Sequence, residues 1–157
     1  MNRKTATLIR DFPKLALYQL AKSLRVACRR EMPLPKTQQD LANFVDHALV
    51  HEIRAGFEHR FITLLFVTSG ERVFCRRYTY GEPSWHSAFL SDSKGQIKLD
   101  KTIVNIDAIV PPDLEDITPA VDAAYEEKLK KLGASFMLSG AIEPRAHAST
   151  LELLLSE

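Results

Sequence analysis

Between Lys14 and Arg30 the apolar residues Leu17, Leu20, Ala21, Leu24 and Cys28 recur at steps of three and four, which predicts an amphipathic helix with a basic opposite face. Asp11 and Pro13 suit its first turn, and Met32-Pro33-Leu34-Pro35 ends it as a stiff linker. A second helix is predicted from Thr37, as cap, to about His47, with Leu41, Phe44, Val45 and Ala48 on one face. After it the period changes. Leu49 to Arg54, Phe61 to Thr68 and Arg72 to Tyr78 are rich in β-branched and aromatic residues and read as three antiparallel strands, the last two joined by Ser69-Gly70-Glu71. Gly95 to Leu99 and Thr102 to Ile106 repeat the hairpin pattern around Asp100-Lys101, giving five strands before Pro111-Pro112.

Thr118-Pro119 predicts the start of a third helix, striped by Val121, Ala124, Tyr125, Lys128, Leu129 and Leu132 and ended by Gly133. From Ala146 the tail reads as one more strand, with Leu151, Leu153 and Leu155 in alternation. Hairpin-spaced strands with helices before and after them, rather than between them, define an antiparallel α+β fold, and a small barrel removes its sheet edges. The reading divides the chain into a basic helical extension, residues 1–36, and a barrel domain, residues 37–157.

At 157 residues, 45% hydrophobic and 26% charged, the chain fits one globular domain. Its longest apolar run, Phe61 to Val67, is strand-sized and far short of a membrane span, so a soluble protein is expected. Cys28 and Cys75 make neither a metal quartet nor a disulfide framework, and two lone thiols suit the reducing cytoplasm. Cys75 reads as a buried hydrophobe or, beside Arg76, as a nucleophile.

Charge is uneven along the chain. Residues 1–36 hold nine Lys or Arg against Asp11 and Glu31, while residues 92–157 hold twelve acids against seven bases. The basic helix is expected to pack on the domain or a second subunit rather than on a membrane surface or nucleic acid. Its Arg-rich opening also resembles an organelle transit peptide, a reading that the interrupting prolines disfavour. His47 and His51 stand four apart, but the strand reading takes His51 out of the helix, and no metal site is expected. Asp113, Glu115 and Asp116 are read as a solvated loop, and Glu126-Glu127 as a solvated helix face. No phosphate-binding glycine loop and no nucleophile elbow occurs.

The stretch with the most chemistry is Arg76 to Leu90. Arg76 and Arg77 at a strand end, Gly81 in a turn, and Ser84-Trp85-His86 entering a short helix compose a candidate anion site, because guanidinium groups fork onto phosphate. Trp85, the sole tryptophan, is placed to cover a ring, or to plug a barrel end while the arginines pair with acids.

Cys75-Arg76-Arg77, Gly81 and Ser84-Trp85-His86, with Gly95-Gln96-Ile97, Val121 to Lys128 and Arg145 to Leu151, resemble in order the blocks of domain-of-unknown-function family 2255. The same loop is more distantly similar to deazaflavin-dependent nitroreductases. The resemblance implies a split β-barrel, commonly dimeric, with FMN or a deazaflavin at the subunit interface. On that basis Arg76 and Arg77 hold a phosphate, Gly81 and Ser84 let backbone donors approach it, Trp85 shields the ring, and His86 plays a secondary role. The chain lacks the relatives' Gly-Arg-x-Ser-Gly turn between Ile53 and Arg60 and keeps only one of their paired glycines, Gly81. Two functions therefore stand side by side: a flavin- or deazaflavin-dependent oxidoreductase, and a cofactor-free binding or scaffold protein that kept the barrel.

Overall fold

The computed structural model describes residues 32–156, so the basic helix predicted at residues 14–30, and Cys28, lie outside the described residues. Helix α1 (Gln38–Asp46) begins at Thr37, whose hydroxyl accepts from the Asp40 amide while the Asp40 carboxylate accepts from the Thr37 amide. This reciprocal pairing satisfies two donors that would otherwise be orphaned, and it places the start where the sequence predicts it.

Seven antiparallel strands follow: β1 (His51–Ala55), β2 (Ile62–Leu64), β3 (Phe66–Ser69), β4 (Arg72–Cys75), β5 (Lys94–Leu99), β6 (Thr102–Ile109) and β7 (Leu151–Leu155). They hydrogen-bond in the order β2-β1-β5-β6-β7-β4-β3. The two outermost strands, β2 and β3, are separated in the chain by Leu65 alone, so the ends of the sheet meet and it curls into a split barrel. The continuous apolar strand predicted from Phe61 to Thr68 is in fact broken there, and the tail adds the seventh strand. The strand predicted from Leu49 pairs with β2 and β5, not with the β3–β4 hairpin.

Alternation along the strands feeds two cores. Ile53, Phe66, Cys75, Ile97, Ile106 and Leu153 point into the barrel, where Leu41 and Phe44 of α1 fill the space. Leu65, Val67 and Phe74 point outward and are covered by Val121, Tyr125 and Leu129 of helix α3 (Leu114–Lys131). Helix α2 (Trp85–Ser91) lies against β1 and anchors through Phe89. Short helices α4 (Leu138–Ala141) and α5 (Pro144–Ala148) lead into β7, so the tail is helical where extended chain was predicted from Ala146. Gln38 ties α1 to β7, its side chain donating to the Leu153 carbonyl at 2.9 Å and accepting from the Leu155 amide at 2.9 Å.

Helix α3 starts four residues before the predicted Thr118. Glu115 and Asp116 sit in its first turn, where carboxylates complement the helix dipole, rather than in a loop. The Asp113 carboxylate does not cap this helix. It accepts from Arg72 at 2.7 and 2.8 Å, and Arg72 also forks onto Glu152 at 2.7 Å twice, clamping β4, β7 and the start of α3. The arginine holds Asp113 below the usual carboxylate range.

His51 is 2% exposed, its Nε2 lies 2.8 Å from the Val45 carbonyl oxygen, and its ring sits between Phe44 and Phe66. Burial lowers its pKa from 6.5 to about 4, so the folded protein holds it neutral. The unfolded chain takes up a proton near pH 6.5 that the folded one refuses until about pH 4, and stability falls as pH drops through that window. Between pH 8 and pH 5 the expected loss is about 2 kcal/mol, measured by urea unfolding, and His51→Gln removes it.

Candidate functional site

Past the end of β4 the strand alternation continues and sends the two arginines in opposite directions. Arg76 follows Phe74 to the outer side, is 0% exposed, and lies 5.3 Å from the Tyr125 ring centroid. It donates to the Asp122 carboxylate, to the Ala141 carbonyl at 3.0 Å and to Thr150 Oγ1 at 2.9 Å. His147 Nε2 closes the network, 3.0 Å from both oxygens of Asp122. Arg76, expected to hold a phosphate, is thus enclosed by protein with its Nη2 unpartnered, and it acts as the strut that fixes β4 against α3 and the turn before β7.

Arg77 turns into the following loop. Its Nε donates to the Thr79 carbonyl at 3.1 Å, Nη2 to the Gly81 carbonyl at 3.2 Å, and Nη1 to Glu82 Oε1 at 3.0 Å. Gly81 thus offers its carbonyl oxygen to this guanidinium. Ser84 caps α2, and the Ser84 and Ser87 hydroxyls accept from each other's backbone amides in the reciprocal arrangement that also opens α1. Both hydroxyls reach Glu82 as well, at 3.1 Å to Oε1 and 2.7 Å to Oε2. These hydroxyls, Ser87 foremost, and then Arg77 lower the Glu82 pKa and hold it charged.

Trp85 packs edge-on against Phe89 and His86, with ring centroids at 6.3 and 5.7 Å. His86 is buried, its Nε2 has no partner, and burial pushes its pKa below the usual histidine value. Cys75 is wholly buried and its thiol pKa is pushed upward, which removes the nucleophile reading and leaves the structural one. His47 closes α1 while His51 opens β1, and among the described residues no three potential ligands gather as a metal would need.

Between α2 and the β1–β2 hairpin lies a groove of about 430 Å³. Ile53, Ala55 and Ile62 form its floor, and Trp85, Ala88, Ser84 and Ser87 one wall. Arg54, His59 and Arg60 form the opposite rim. Arg54 is fixed there by two donations to Gln96 and by stacking 4.5 Å from the Phe61 ring, whereas His59 and Arg60 are exposed. Of the expected site residues, Ser84 and Trp85 line this groove, Arg77, Gly81 and His86 do not, and Arg76 is inside the fold. The rim escaped the sequence reading because residues 59 and 60 reach the groove only through the β1–β2 pairing, which sets Ile53 opposite Ile62.

The fold and groove define a split-barrel protein with an aromatic wall and a cationic rim at one face. The chain belongs to the family described as "Uncharacterized protein conserved in bacteria (DUF2255)", which matches residues 38–153, from the start of α1 to the middle of β7. No curated protein matches the sequence. Among solved structures, one similar chain is a provisionally named pyridoxamine 5'-phosphate oxidase from Listeria innocua, at 9% identity and TM-score 0.46, covering 76% of this chain and 91% of that one. Another is an FAD-binding protein from Mesorhizobium loti, at 11% identity and TM-score 0.45, covering 73% and 86%. Among the described residues no helix is long and apolar enough to cross a membrane.

Proposed function

We propose that the groove beside Trp85 holds the ring of FMN or a deazaflavin and that the protein is an oxidoreductase built on that cofactor. The observation that carries this reading is the lining itself: an apolar floor, an indole wall and the guanidinium groups of Arg54 and Arg60 around about 430 Å³, a volume within the range of small-molecule sites. The residues fit such a group. Ile53, Ala55 and Ile62 exclude water beneath a flat ring, Trp85 covers one edge, and the Arg60 guanidinium at the rim attracts an anionic cofactor into the groove. Hydride chemistry is what the cofactor supplies when bound, and the protein contributes binding and orientation. Phe57 and Leu90, 52% and 58% exposed, flank the groove's loop and helix, and a second copy of the chain covering them completes the site as a homodimer. The buried, unpaired Cys75 suits a cytoplasmic location.

One observation favours the cofactor-free binding or scaffold reading. Both Arg76 and Arg77 are already paired with acids of their own chain. Titration of the purified protein with FMN, riboflavin and a deazaflavin, followed by Trp85 emission, separates the two. The cofactor reading expects saturable quenching that weakens about tenfold for FMN in Arg60→Ala, the loss of one charge-assisted contact. Absence of quenching by all three compounds leaves the scaffold reading.

A further inference from the structure

We propose that Arg77, Ser84 and Ser87 form an anion seat already occupied by the carboxylate of Glu82, so that a phosphate-bearing ligand binds there only by displacing this internal latch. The seat is built and its occupant is half exposed. Arg77 is held by the Thr79 and Gly81 carbonyls through Nε and Nη2, at 3.1 and 3.2 Å, and its side chain is 10% exposed. That anchoring leaves Nη1 pointing outward, where it meets Glu82 alone at 3.0 Å. The Ser84 and Ser87 hydroxyls are fixed by the α2 cap and converge on the same carboxylate. Glu82 itself is 54% exposed, and it can swing into water with little change in its solvation.

A carboxylate offers two oxygens and one charge, whereas a phosphate offers three oxygens and up to two charges to the same three donors. Glu82 is the exposed member of its pair with Arg77 and brings one charge to three donors, so a competing dianion with more oxygens can replace it. Ser84 and Ser87 also line the groove beside Trp85, which places an anion in the seat at the end of a molecule lying in the groove. The latch therefore selects against weakly charged anions and admits phosphate. The seat stands on this geometry alone, and its use by a cofactor rests on the proposed function.

The test is calorimetric titration of inorganic phosphate into the full chain, its Glu82→Ala and Glu82→Gln variants, and the double variant Glu82→Ala with Ser87→Ala, with Trp85 emission confirming each fold. Both single variants are expected to bind phosphate about tenfold more tightly than the parent, and the double variant to return toward the parent's affinity. Single variants that bind no more tightly than the parent overturn the proposal, as does a double variant that keeps the gain. FMN and riboflavin on Glu82→Ala then separate the two levels. A gain for FMN alone shows the seat serving a cofactor phosphate, while phosphate binding without any flavin binding keeps the seat and removes the cofactor reading.

Discussion

Arg76→Ala is expected to destabilise the protein by about 2–4 kcal/mol, because a wholly buried side chain is removed and its buried acceptors lose their donor. The side chain lost is wholly buried and serves Asp122, Thr150 and the Ala141 carbonyl at once. His147 remains beside Asp122 and softens the effect toward the lower end. Lysine does not rescue the position, since a single ammonium cannot reproduce a planar fork directed at three acceptors. Urea unfolding at pH 7 measures the loss, and a change below about 1 kcal/mol, the size of an exposed pair, would show that Arg76 is not the strut described. The result also bears on ligand assays. Any weakening of cofactor binding in Arg76→Ala reports a disturbed strand end, not a lost phosphate contact, which is why Arg60 and Glu82 are the informative positions.

The second large effect is expected at Gly95, where the barrel meets α2. A Cβ there would lie 2.5 Å from the Arg54 carbonyl oxygen and 2.5 and 2.6 Å from the Phe89 ring. Backbone cannot yield at that distance and Phe89 is itself 2% exposed. Gly95→Ala should therefore cost about 3 kcal/mol through overpacking, seen as a fall of roughly 10 °C in Tm. It should also reduce Trp85 quenching by any ligand, because Phe89 seats the helix that carries Trp85, Ser84 and Ser87. Gly81→Ala is the control: nothing lies within 4 Å of the added carbon, and stability should stay unchanged. A Gly95→Ala protein as stable as the parent would mean that α2 rides higher on the barrel than the structure has it.

What could be read from the sequence follows the range over which each cause acts. Thr37, Ser84 and Gly133 mark helix ends through groups three or four residues away, and all three stand where the sequence predicts an end. Leu65 interrupts a run that is apolar on both sides, and no local residue signals that it turns outward to the second core. Thr118-Pro119 imitates a helix start, yet Thr118 donates to the Leu114 carbonyl and the helix runs through, drawn back by packing on β3. In the site, the serine cap and Trp85 were legible for the same local reason. The opposite directions of Arg76 and Arg77 follow from strand alternation, but the partners that neutralise them, Asp122 and Glu82, lie 46 and 5 residues away. The first of these needs the tertiary fold to be seen, as does the rim made by Arg54, His59 and Arg60.

The place of β7 has a consequence for how the molecule is made. It is hydrogen-bonded to β4 on one side and β6 on the other, yet among the described residues it follows every other strand of the sheet. Until residues 151–155 pair, β2-β1-β5-β6 and β4-β3 are two half-sheets tethered at Leu65, each with a bare edge where β7 belongs. Unpaired edges invite association with other chains. Barrel closure therefore waits on β7, and a lesion confined to residues 151–155 leaves both half-sheets open to aggregation however well the other strands pair.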